Sequence, residues 1–269
     1  MRGDMVMNRF WLGTIAAIAV LAGGGADAAD LPITAPAAVP VAVPMVNWSG
    51  FYVGGNAGIA WSRDLYSFNV PDVGCGTSCE DFRFSPTSFI GGGQIGYQSQ
   101  VEQWVFGIEA TWSALDLHQT KESILDPTSL RSVKIDDIAT VGGRFGYAGW
   151  DRVLVYARAA YATARIGVHG VEGPGNTSLT ATGVTADWNG WRSGWNLGAG
   201  IEYMPWQNLV LGIEFNFYNF AFDTKQPVLF SDGSPFQISG SNADVYAITA
   251  RLSYLFNWGK TSPAVVARY

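Results

Sequence analysis

The sequence predicts an all-β protein, an eight-stranded antiparallel transmembrane β-barrel with long extracellular loops and short periplasmic turns. Three observations carry this. Apolar residues alternate with small or polar ones in eight successive segments between Gly50 and Trp258, each about a dozen residues long. In the last of them Tyr246, Ile248, Ala250, Leu252, Tyr254 and Phe256 share one face, and Ala247, Thr249, Arg251 and Ser253 share the other. A tilted strand needs roughly 9–11 residues to cross the hydrocarbon layer, so these segments are long enough to span. The connections alternate between long and short, and the charged residues fall on one face of the pattern.

The amino terminus reads as a secretory signal. Arg2 and Arg9 precede an apolar run from Phe10 to Ala22, and Ala26-Asp27-Ala28 supplies small residues at the cleavage position. Cleavage after Ala28 is expected, giving a signal peptide over 1–28, with Met1 or Met7 as initiator. The apolar run is too short to anchor the chain in a membrane. Residues 29–47 form a Pro/Ala-rich linker. Pro32, Pro36, Pro40 and Pro44 recur every fourth residue, which forbids helix and strand pairing alike.

The barrel itself is expected over 48–258. Its strands are predicted at Gly50–Ser62, Ser88–Gln100, Trp104–Asp116, Ile135–Tyr147, Val153–Val168, Trp191–Met204, Leu209–Phe222 and Asp244–Trp258. Arg63–Thr87, Leu117–Lys134, His169–Gly190 and Asp223–Ala243 are the long connections. Val101–Gln103, Ala148–Arg152 and Pro205–Asn208 are the short ones. Long loops outside and tight turns in the periplasm is the outer-membrane arrangement. An even strand number then places both termini in the periplasm. Residues 259–269 are left as a carboxy-terminal tail.

A soluble lipocalin-like barrel has the same strand count with its faces exchanged. The distribution of charge decides between the two. One face carries Asn56, Gln94, Glu109, Arg144, Arg158, Asn196, Glu202, Glu214, Asn216 and Arg251; the other carries Phe51, Val53, Ile59, Phe106, Ile108, Trp112, Leu197, Ile201, Ile213, Phe215 and Phe217. A soluble barrel wearing the second face outward would aggregate, whereas lipid solvates it. The charged face therefore points into the lumen. Glu109, Glu202 and Glu214 balance Arg144, Arg158 and Arg251 in number, and all six fall near one level. An eight-stranded lumen is only wide enough for side chains, and an unpaired buried ion costs several kcal/mol. An interlocking Glu–Arg network that plugs the lumen is predicted, with a narrow diffusion pore lined by the same residues as the alternative. Trp48, Trp61, Trp104, Trp150, Trp188, Trp191, Trp206 and Trp258 lie near strand ends and are expected to form interfacial girdles.

The run Asn47-Trp48-Ser49-Gly50-Phe51-Tyr52-Val53-Gly54-Gly55-Asn56-Ala57-Gly58 resembles the first strand of small outer-membrane proteins of alphaproteobacteria such as Brucella and the rhizobia, the immunogenic-protein or opacity-like porin family. Gln94-Ile95-Gly96-Tyr97-Gln98, Gly107-Ile108-Glu109-Ala110 and Val153-Leu154-Val155-Tyr156-Ala157-Arg158-Ala159 extend the resemblance over Asn47 to Trp258. It implies an eight-stranded barrel of the OmpA type whose members are mostly structural or surface-antigen proteins, with some porins and a few hemin binders. The sequence departs from the family pattern at Arg251, where the terminal strand signal ordinarily has Gly, and in continuing through Gly259–Tyr269.

A net charge of −6 leaves no excess of cations to meet phosphates, so nucleic acid is not an expected partner. Gly91-Gly92-Gly93-Gln94-Ile95-Gly96 matches a dinucleotide fingerprint formally, but it sits inside a strand pattern, where glycines permit close packing. Cys75 and Cys79, the only cysteines, are expected to form a small disulfide in the first long loop, because the chain is exported. His118 and His169 stand at the bases of the second and third long loops; they are the candidates to converge on hemin iron, with two solvated histidines as the ordinary case. No Ser–His–Asp set or carboxylate pair lies at an access point. The chain is therefore expected to be non-enzymatic and to need no cofactor or metal. Its expected partners are outer-membrane lipid, the barrel-assembly machinery and an unspecified hemin or surface ligand of the loops.

Overall fold

The computed structural model describes residues 46–69, 80–123, 127–173, 183–221, 226–229, 231, 235–240 and 243–257. The expected signal peptide, most of the expected linker, the expected tail, Cys75 and Cys79 lie outside these residues. Eleven strands follow one another along the described chain: β1 (Gly50–Asn69), β2 (Glu80–Phe84), β3 (Thr87–Val101), β4 (Trp104–Glu122), β5 (Leu130–Trp150), β6 (Val153–Glu172), β7 (Val184–Trp206), β8 (Leu209–Phe220), β9 (Gln226–Leu229), β10 (Pro235–Gly240) and β11 (Ala243–Phe256).

Eight of these make the wall, in the order β1-β3-β4-β5-β6-β7-β8-β11, every neighbour antiparallel. β11 pairs back onto β1 from Phe256↔Phe51 to Asp244↔Arg63 and closes the sheet. A circuit of paired residues shows how it closes. From Phe51 the partners run through Tyr97, Ile108, Gly143, Ala159, Leu197, Phe217 and Tyr246, and return to β1 at Trp61, ten residues further along. With eight strands, a rise of ~3.3 Å and a spacing of ~4.8 Å, that stagger tilts the strands by about 40° and sets a backbone radius of about 8 Å. The bore of such a cylinder holds side chains and little else.

Alternation assigns the faces as the sequence predicts. Ile108 and Ile213 are 67% and 59% exposed on the outside, while Glu109 and Glu214 beside them are 3% and 2% exposed within. Trp61 stacks on Tyr246 and Trp104 on Phe145 on the outer surface near opposite ends of the wall. Two of the predicted girdle tryptophans do not belong there. Trp48 is 1% exposed inside the barrel mouth, and Trp188 packs inward beneath the Arg192 guanidinium, 4.4 Å from its ring. Both precede or occupy strand positions whose parity faces the lumen.

The three tight turns are centred on Glu102-Gln103, Asp151-Arg152 and Gln207-Asn208, and Glu102, Arg152 and Asn208 adopt positive φ of 55°, 59° and 73°. At the opposite end the strands run further than predicted. β4 continues to Glu122, β5 begins at Leu130, β6 reaches Glu172 and β7 starts at Val184, so most of the second long connection and half of the third are a raised sheet. β2 prolongs the line of β3 along β1: Trp61 pairs with Thr87 and Asp64 with Phe84. β10 pairs with β1 on its other side, and β9 pairs with β10. The prediction stopped short at β5 for a physical reason. A bulge at Asp136 shifts the register by one, and the buried positions change from Ile138, Thr140 and Arg144 below it to Arg131, Val133 and Ile135 above.

Candidate functional site in the barrel lumen

The lumen is built in three layers, and nearly every wall strand crosses them in the same order. At the tight-turn end Trp48, Tyr52, Val105, Ala148, Leu154, Tyr156, Met204, Val210 and Leu255 form an apolar cluster. At the other end a larger one contains Ile90, Leu115, Leu117, Ile138, Ile166, Val168, Phe220 and Val245. Between them lie the ions. On β6 the inward sequence reads Leu154, Tyr156, Arg158, then Ala162, Ala164, Ile166. On β11, read from its end, it is Leu255, Ser253, Arg251, Thr249, then Ala247, Val245.

The six predicted charges meet in that middle layer, one from each of six consecutive strands: Glu109 on β4, Arg144 on β5, Arg158 on β6, Glu202 on β7, Glu214 on β8 and Arg251 on β11. Glu109 is the hub. Its side chain is fully buried and accepts hydrogen bonds from Arg158 Nη1 at 2.5 Å and from both Nη atoms of Arg251, with Arg144 Nη1 at 3.6 Å. Arg251 also donates to Glu214 at 2.5 Å, and Arg144 to Glu202 at 2.7 Å. No member stands alone. Each carboxylate faces at least two guanidinium groups within 3.8 Å, while Arg144 Nε and Arg251 Nε are buried without a hydrogen-bond partner.

Neutral groups complete the layer, and the sequence reading missed the most important of them. Tyr52 Oη donates to Glu109 at 2.7 Å and Tyr156 Oη to Glu214 at 2.5 Å. The Tyr156 ring lies 4.0 Å from the Arg144 guanidinium, a close cation–π contact. Thr140 and Asn196 accept from Arg158, Asn216 donates to Glu214, and Gln94 is held by Ser253 and Asn56. The signal was present in parity: Tyr52 shares its face with Asn56, and Tyr156 stands two before Arg158. Two glycines make room for the rings. A Cβ at Gly96 would stand 2.4 Å from Tyr52 Oη, and one at Gly200 2.6 Å from Tyr156 Oη. Gly96, which completes the apparent dinucleotide fingerprint, is thus a socket for a tyrosine.

Two voids flank the ion layer, each of about 10 Å³: one near Arg158, Glu214 and Tyr218, the other near Tyr52, Arg144 and Val210. Each has room for about one water molecule.

The histidines stand apart from this site and from each other. His118 on β4 and His169 on β6 both sit on the outer side of the raised sheet, with β5 between them, two strand spacings across and two residues along, roughly 12 Å apart. His118 Nε2 lies 3.2 Å from Thr120 Oγ1, and His169 Nδ1 lies 2.5 Å from Asp187. Ser132 is the cross-strand neighbour of His169, but its hydroxyl is paired with Thr120 at 2.7 Å. Among the described residues there is no group of three or more His, Cys, Asp or Glu able to hold a metal ion.

The pattern of the family described as outer membrane protein beta-barrel domain matches residues 16–256. The chain belongs to this family. The 31 kDa outer-membrane immunogenic proteins of Brucella melitensis biotype 1 and Brucella suis biovar 1 are each 27% identical over 206 residues, covering 75% of this chain and 83% of theirs. Among solved structures, the outer membrane protease OmpT from Escherichia coli is 9% identical with a TM-score of 0.50, covering 77% of this chain and 97% of its own. OprG from Pseudomonas aeruginosa is 9% identical with a TM-score of 0.47, covering 80% and 100%. The likeness to OmpT is one of fold. Membership in the family makes this an outer-membrane β-barrel protein, and the buried Glu–Arg network fills the middle layer of its lumen.

Proposed function

We propose that the protein is a structural, non-conducting and non-enzymatic outer-membrane barrel that contributes to envelope integrity and presents its loops at the cell surface. The observation that carries this reading is the succession of apolar, ionic and apolar layers across the lumen. A permeating ion would have to displace two packed hydrocarbon clusters as well as the salt-bridged layer between them. In this reading the tight turns and both termini face the periplasm, and the raised sheet with its loops faces outward. The Brucella relatives carry the description immunogenic, which suits a protein whose loops are presented at the surface.

Planar-bilayer recording tests the proposal. The wild type is expected to show no steady current, and so is Arg158→Ala, because both apolar layers remain when one ion is removed. Steady open-channel current in the wild type, altered in amplitude by Arg158→Ala, would instead establish the narrow pore.

A further inference from the structure

Residues 46–49 precede the first wall strand, yet they are part of the barrel's interior. Trp48 is 1% exposed within the lower apolar cluster, and Val46 packs against the same cluster. The backbone of this short segment is held from both sides of the seam where the first and last strands meet. On the β3 side, Trp48 N–H donates to Gln100 Oε1 at 2.8 Å, Gln98 Nε2 donates to Trp48 O at 2.7 Å, and Gln100 N–H donates to Ser49 Oγ at 2.9 Å. On the β11 side, Asn257 Nδ2 donates to Asn47 O at 3.1 Å.

The composition of the receiving site is informative. The lower cluster takes side chains from β1, β4, β5, β6, β7, β8 and β11, and β3 supplies the two glutamines. Every wall strand therefore contributes to the place where Trp48 rests. That place does not exist on an open sheet, because β1 and β11 are the ends of the sheet until they pair.

We propose that residues 46–49 are a closure latch. The segment docks after the β1–β11 seam has formed, bridges that seam at its tight-turn end, and thereafter holds the closed barrel against reopening. An interaction made after the rate-limiting closure slows unfolding and leaves folding nearly untouched. The inference concerns assembly and is independent of whether the lumen conducts.

The test is the kinetics of the full chain refolded into detergent micelles and unfolded in urea, read by gel migration without boiling. Trp48→Ala and the double variant Gln98→Ala/Gln100→Ala are each expected to unfold about tenfold faster or more while refolding within about twofold of the wild type. Val105→Ala serves as the comparison, since Val105 lines the same cluster from the wall and its contacts form as the wall closes; it is expected to slow refolding as well. The proposal is overturned if Trp48→Ala slows refolding with an unchanged unfolding rate, if it divides its effect as Val105→Ala does, or if neither rate moves. Should Trp48→Ala not fold, the double glutamine variant, which leaves the apolar cluster intact, decides on its own.

Discussion

At the scale of single residues, the ion layer works because its charges are shared. Arg251 bridges Glu109 and Glu214, so Arg251→Ala leaves a fully buried carboxylate pair with one cation fewer. A loss of about 3–5 kcal/mol is expected in urea unfolding. Adding Glu214→Gln restores neutrality where the cation was lost and is expected to recover part of it. Adding Glu202→Gln gives the same net charge but strips Arg144 of its 2.7 Å partner, and that pair is expected to be less stable than Arg251→Ala alone. All six charges were legible in the sequence, because an ion at an inward parity has no solvent to turn to. Tyr52 and Tyr156 were not, since a tyrosine suits a lipid interface as well as a lumen, and the glycines that admit them are informative only once the neighbouring strand's register is known.

At the scale of elements, alternation was enough to place eight strands but not to end them. It fails at β5, where the Asp136 bulge exchanges the inward and outward sets, and in the raised sheet opposite the tight turns, where outer positions such as Asp116, His118 and Thr120 are polar. Three positions at the tight turns carry left-handed backbone. Asn208 is suited to it, and its Nδ2 also donates to Leu255 O at 2.5 Å. Glu102, at φ 55°, has no such compensation in its own side chain. Glu102→Gly is expected to raise stability by about 1 kcal/mol, measured as a shift of the urea midpoint, whereas Asn208→Gly is expected to give no gain.

At the scale of the whole molecule, eight strands and a ten-residue stagger fix a bore that packing can fill, and the six charges within it are almost entirely removed from solvent. Salt therefore has little to screen. Unfolding in micelles is expected to change little between about 0.1 and 1 M NaCl, because buried pairs are shielded from the ionic atmosphere that weakens exposed ones such as Lys134–Asp136. A strong fall in stability with salt would place the ions in contact with water. The larger apolar cluster has a further consequence. It lies between the ion layer and the loops and acts as an insulator, so that a change of length or charge in a loop is not transmitted to the buried electrostatics. Loops above such a floor are free to vary in length and sequence, and foreign peptides grafted into them should leave the barrel's unfolding midpoint where it was.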